Sequence, residues 1–214
     1  MPYKKLFFLL IVKPLVFVIM GLHIRYRERL PINGPAIIVA NHNSHLDTLV
    51  LMSLYSSNEL SKVRPVAASD YFMRNAWSRW LACNLIDIIP LERGGRKSAR
   101  ERLQPIHDAL DNNEIVILFP EGSRGEAELI THFKRGIALL AEQHPETPIT
   151  PVFLHGLGKC LPRGEGMFVP FICDVIIGEP LYWQGETDSA DAFVNLLEAN
   201  VLELGKDITS SPWV

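Results

Sequence analysis

The sequence predicts an α/β fold: a largely parallel mixed sheet flanked by helices, preceded by an apolar N-terminal segment. Two observations carry that expectation. From residue 35 onward, short apolar runs rich in β-branched residues alternate with longer stretches of helical spacing. Such alternation lets a chain cover both faces of a parallel sheet. The composition agrees, since 214 residues with 48% hydrophobic and 21% charged side chains suffice for one domain with a full-sized core.

The first element is the stretch KKLFFLLIVKPLVFVIMGLHIRYRER, which holds two apolar runs, Leu6–Val12 and Leu15–Leu22, split by Lys13 and Pro14. A membrane-spanning helix needs about 20 mostly apolar residues. This segment is slightly short, carries a charge near its middle, and has a proline that would kink it. It also lacks the small-residue cleavage site of a removable signal peptide. The reading favoured is a monotopic anchor that enters one face of the bilayer, with Lys4, Lys5 and the basic residues of Arg25–Arg29 on anionic headgroups. A tilted span and a helix packed on the soluble core are the alternatives.

The later elements follow in order. Strands are expected at 35–40, 63–68, 86–91, 114–120, 148–156 and 168–180. Helices are expected at 46–55, 71–84, 98–113, 134–143 and 189–206, with Pro105 bending the third. Cys83, Cys160 and Cys173 are too few and too scattered for a disulfide framework, and read as buried thiols.

Charge narrows the function class. Residues 1–30 carry six basic side chains (Lys4, Lys5, Lys13, Arg25, Arg27, Arg29) against Glu28, a net +5, whereas the whole chain is −3. A basic apolar end on an acidic body points to a membrane, and argues against a nucleic-acid binder, which is basic over its body.

The chemistry-bearing residues cluster after the expected strands, where an α/β fold places its active loops. In VANHNSHLDTL (39–49), His42 follows the strand directly. An imidazole can accept a proton near neutral pH, and a carboxylate can fix its tautomer and stabilise the imidazolium. Asp47 is the candidate. In a continuous helix, residues five apart point about 140° away from each other. The pair meets only if the chain turns at Asn43-Ser44. A structural role fits the same residues, because Ser44 and Asp47 match a capping box. The two roles are compatible. His45 is the rival base, disfavoured by the positive end of the helix dipole.

A second cluster, LFPEGSRG (118–125), supplies Glu121, Gly122, Ser123 and Arg124. Its glycines permit a tight turn whose amides can cradle an anion, and Arg124 offers a planar fork for phosphate. Glu121 either accepts from a polyol or restrains the arginine. An ordinary surface turn is the alternative. A third stretch, IIPLERGGRKSARER (88–102), places Arg93 just past a strand end and carries net +3. Its other charges are a solvated helix face or a docking patch for an acidic carrier or headgroup. Walker A spacing and a G-x-S-x-G nucleophile elbow are both absent. A metal site using His42, His45 and Asp47 matches no known ligand spacing.

Together these motifs resemble the lysophosphatidic acid (1-acyl-sn-glycerol-3-phosphate) acyltransferase family. NHNSHLD (41–47) fits its N-H-x-x-x-x-D block, IIPLER fits the block ending at Arg93, and FPEGSR (119–124) fits F-P-E-G-[ST]-R. FKRG (133–136) and the proline-centred TPITPVFLHG also fit, in the same order. One position departs: AASDYF (67–72) has Ser69 where many members carry a lysine.

The resemblance implies an acyltransferase domain over 31–214, behind the anchoring segment of 1–30, and acyl transfer from a thioester to the sn-2 hydroxyl of 1-acyl-sn-glycerol-3-phosphate, giving phosphatidic acid in phospholipid biosynthesis. His42 and Asp47 are then catalytic. Arg93, Glu121, Gly122, Ser123 and Arg124 bind substrate. No cofactor beyond the acyl-ACP or acyl-CoA co-substrate is implied, and the setting is the cytoplasmic face of a membrane. Another lysolipid acceptor, a metal-dependent membrane-bound hydrolase and a non-catalytic anionic-lipid binding protein remain as alternatives.

Overall fold

A computed structural model describes residues 2–19, 21–44, 46–69, 76–94, 97–123, 130–160, 173–185 and 189–209. The expected fold class is present. Seven strands form one sheet: β1 (Leu22–Arg25), β2 (Ala36–Ala40), β3 (Val63–Ala68), β4 (Ile89–Leu91), β5 (Ile115–Leu118), β6 (Ile149–His155) and β7 (Cys173–Ile177). Their spatial order is β1-β7-β6-β2-β5-β3-β4. The strands β6, β2, β5, β3 and β4 all run parallel. The strand β7 runs antiparallel to β6, and β1 pairs parallel to β7.

Strand residues alternate between two cores, as the period of two demands. Ile38, Ala40, Ile117 and Leu154 face one layer, whereas Ile37, Val39, Val116 and Phe153 face the other. The first layer holds the N-terminal helix and α2 (Leu46–Ser53). The second is formed by α4 (Ala99–Asp111), α5 (Gly136–Gln143) and α7 (Ala190–Thr209). Two shorter α-helices are α3 (Ala76–Leu81) and α6 (Leu157–Cys160). Ser98 caps α4 through a reciprocal capping box with Glu101, and that helix runs on through Pro105.

The N-terminal helix starts with α1 (Pro2–Phe7) and continues in wider i→i+5 turns through Phe8–Val12 and Leu15–Ile19. Wide turns accommodate Pro14, which has no amide to donate. Phe8, Val12 and Val16 share one face and are fully buried in the first layer. The opposite face exposes Leu6, Leu9, Leu10, Ile11 and Val18. No helix among the described residues is long and apolar enough to cross a membrane.

The basic residues of this segment do not all face outward, as the sequence suggested. Lys4 is buried beneath the helix, donating to the Val63 carbonyl at 2.7 Å with Asp87 at 3.6 Å. Burial lowers its pKa to about 8, although Asp87 opposes the shift. Lys13 donates to the Tyr55 carbonyl and Arg27 to the Leu54 carbonyl, while Arg29 pairs with Glu179. These cations hold the segment to the body, three of them by satisfying backbone carbonyls at or just past the end of an element. Residues 22–25, outside the strands expected from sequence, extend the sheet as β1. Cys173 is buried as expected, but Cys83 is exposed, which corrects the reading of that thiol.

Candidate active site

The strands β2, β5, β3 and β4 are parallel neighbours, so their C-terminal ends share one sheet edge. Three loops leave that edge and carry the three clusters. Val39 lies beside Leu118 in the register, which sets residues 41–44 next to the turn beginning at Phe119.

Residues 41–44 are not helical, and α2 begins at Leu46. The intervening turn brings the two side chains together: His42 Nδ1 lies 2.9 Å from Asp47 Oδ2. Asp47 is fully buried. Its Oδ2 also accepts from the amides of Asn43 (2.6 Å) and Ser44 (2.8 Å). The capping role and the dyad therefore coexist. The cap differs in detail, since Ser44 Oγ accepts from the Leu46 amide (3.3 Å) and not from that of Asp47. Burial pushes the Asp47 carboxyl up, opposed first by the His42 hydrogen bond and then by the two amides.

The His42 ring stacks on buried Phe119, with centroids 4.2 Å apart at 20°. Fixed by Asp47 on one side and Phe119 on its face, the ring is left with Nε2 as its working nitrogen. An imidazole so oriented can take a proton from a hydroxyl and return it to a leaving group.

Glu121 is 3% exposed. Its Oε1 accepts from the His42 amide at 2.8 Å, and its Oε2 accepts from the Thr131 amide (3.1 Å) and hydroxyl (2.7 Å). Glu121 thus braces the His42 backbone against the 131 segment. Arg93 donates through Nη2 to the Gly122 carbonyl, which ties the third cluster to the second. Gly122 adopts φ +74°, a conformation that suits glycine. Ser123 is exposed in the same turn. Arg124 and His45 lie outside the described residues.

Sequence reasoning missed several supporting side chains. Asn41 clamps β6 with two bonds, donating to the Leu154 carbonyl (2.8 Å) and accepting from its amide (2.7 Å). Asn43 donates to the same carbonyl at 2.9 Å. These bonds lock the His42 loop to the neighbouring strand. The only sequence signal for them was two amide residues flanking a histidine.

Residues 21–155 match the model of the Acyltransferase family, and the chain belongs to that family. It is 30% identical over 157 residues to the chloroplastic 1-acyl-sn-glycerol-3-phosphate acyltransferase BAT2 of Brassica napus, covering 72% of this chain and 43% of that protein. It is 28% identical to the chloroplastic enzyme LPAT1 of Arabidopsis thaliana, covering 82% of this chain and 47% of that one. The human 1-acyl-sn-glycerol-3-phosphate acyltransferase alpha is 26% identical, with 90% and 70% covered. The chain spans less than half the length of the two plant relatives. Its fold matches the crystal structure of the 1-acyl-sn-glycerophosphate acyltransferase PlsC from Thermotoga maritima, with a TM-score of 0.75 at 20% identity, covering 98% of this chain and 78% of that one.

Proposed function

We propose that this chain moves a fatty acyl group from an acyl thioester, acyl-ACP or acyl-CoA, to the sn-2 hydroxyl of 1-acyl-sn-glycerol-3-phosphate, giving phosphatidic acid for phospholipid biosynthesis. The observation that carries the proposal is the His42–Asp47 pair at 2.9 Å, joined through Glu121 to the Gly122 turn that Arg93 grips. The family and the names of the relatives support the same reading.

In this mechanism His42 Nε2 takes the proton of the acceptor hydroxyl as the oxygen attacks the thioester carbon. Asp47 stabilises the imidazolium. The tetrahedral intermediate collapses, the carbon–sulfur bond breaks, and His42 returns the proton to the departing thiolate. The acyl group passes directly between substrates, so the mechanism needs no serine or cysteine nucleophile. Positioned general-base catalysis supplies about 10²- to 10⁴-fold, and holding both substrates in register supplies much of the rest. Arg93, Arg124 and the Gly122–Ser123 turn bind the acceptor phosphate.

The N-terminal helix docks the enzyme on the cytoplasmic face of the membrane. Its inner face packs on the core, and its outer face, with Leu6, Leu9, Leu10, Ile11 and Val18, beds among the acyl chains. This brings the sheet edge to lipid substrates while a carrier protein or coenzyme A approaches from water.

The test is mass spectrometry of products after the purified chain meets a mixture of lysolipids and labelled acyl thioesters. The expected product is phosphatidic acid carrying the labelled acyl group. Labelled free fatty acid as the main product would identify a hydrolase and overturn the proposal. Label confined to another phospholipid would overturn the acceptor assignment.

A further inference from the structure

The Gly122 turn meets a second cation that the mechanism above does not use. Lys134 lies so that a Cβ built on Gly122 would sit 2.4 Å from its Nζ and 3.0 Å from its Cε. Among the described residues no carboxylate or carbonyl accepts from that ammonium. Its backbone, by contrast, is fixed. The Lys134 amide donates to the Pro120 carbonyl at 3.0 Å. One residue earlier, Phe133 is buried in the second core and its amide donates to Glu198 at 2.9 Å. Thr131 is held by Glu121. The segment is therefore pinned from both sides, and alternation along it turns Phe133 inward and Lys134 toward the turn.

Two cations thus converge on one residue, Arg93 at the Gly122 carbonyl and Lys134 across its Cα. Among the described residues, the nearby carboxylates do not neutralise them. Glu121 is turned inward to the His42 and Thr131 donors, and Glu92 pairs with Lys97 at 2.9 Å. Among the described residues this positive turn has no carboxylate counter-ion, which fits an external anion, and an ammonium facing a guanidinium suits a phosphate monoester. The absence of a side chain at Gly122 keeps room for the ammonium. Since Glu121 also holds the His42 amide, an anion at this turn lies one residue from the brace of the base.

We infer that Lys134 determines acceptor specificity by binding the phosphate monoester of the lysolipid across the Gly122 turn from Arg93. This rests on the proposed transferase function. The test measures transfer from oleoyl-CoA to 1-oleoylglycerol 3-phosphate and to 1-oleoylglycerol, by the full-length protein and its Lys134→Met and Lys134→Arg variants.

Loss of one or two charge-assisted hydrogen bonds is worth about 10- to 100-fold. Lys134→Met should therefore raise KM for the phosphate acceptor by about that factor. The preference for the phosphate acceptor over 1-oleoylglycerol should fall in parallel, and Lys134→Arg should restore most of it. An active wild type whose preference survives Lys134→Met would overturn the role of Lys134 alone. A fall in kcat with KM unchanged would do the same. A wild type that acylates both acceptors equally would overturn this inference alone, and one that acylates neither would overturn the function reading and this inference with it.

Discussion

A single carboxylate oxygen, Asp47 Oδ2, receives three donors: the His42 ring and the amides of Asn43 and Ser44. This concentrates two tasks in one atom, since the same contact that shapes the loop also orients the imidazole. The tasks separate by mutation. Asp47→Asn keeps an acceptor oxygen and removes the charge, so the fold should persist while kcat drops about 10²- to 10⁴-fold. Asp47→Ala also strands two buried amides, each worth about 1–3 kcal/mol. Chemical denaturation should find Asp47→Ala less stable than Asp47→Asn, with turnover low in both. Equal stability of the two variants would separate Asp47 from the loop architecture.

The N-terminal helix divides its labour between two faces. Phe8, Val12 and Val16 recur at every fourth position and are fully buried, whereas Leu10 and Val18 point outward at 62% and 80% exposure. Phe8→Ala should cost about 3–5 kcal/mol of stability, as emptying a core site does. Leu10→Glu combined with Val18→Glu should leave the denaturation midpoint nearly unchanged but release the protein from anionic vesicles in flotation. Retention of that double variant on vesicles would place the membrane contact elsewhere. Lys4 belongs to the inner face too. A lysine near a chain end reads as a headgroup contact in sequence, and only the packing of Val63 and Asp87 around it reveals an internal partner.

Across the whole molecule, the strands that run through both cores were the most legible. AIIVA, IVIL and ITPVFLH are buried along their full length, so continuous apolar runs mark them without ambiguity. LHIR at β1 was illegible because an edge strand mixed with basic residues has no such run. The His42–Asp47 pairing could be reasoned from spacing, since the turn between them is local. The brace from Glu121 to His42 spans 79 residues and depends on β2 and β5 being neighbours, which no local pattern encodes. The Asn41 clamp was hidden for the same reason, since its partner Leu154 comes from a distant strand.

The fold brings these distant segments to one edge, and the proposed chemistry depends on that convergence at the imidazole. The decisive comparison is steady-state transfer from oleoyl-CoA to 1-oleoylglycerol 3-phosphate by the wild type and by folded His42→Ala, with acceptor binding measured on both. Turnover in His42→Ala should fall by about 10²-fold or more while the acceptor still binds, as expected when a positioned base is removed. Wild-type turnover in the folded variant would contradict the assignment of His42 as the base.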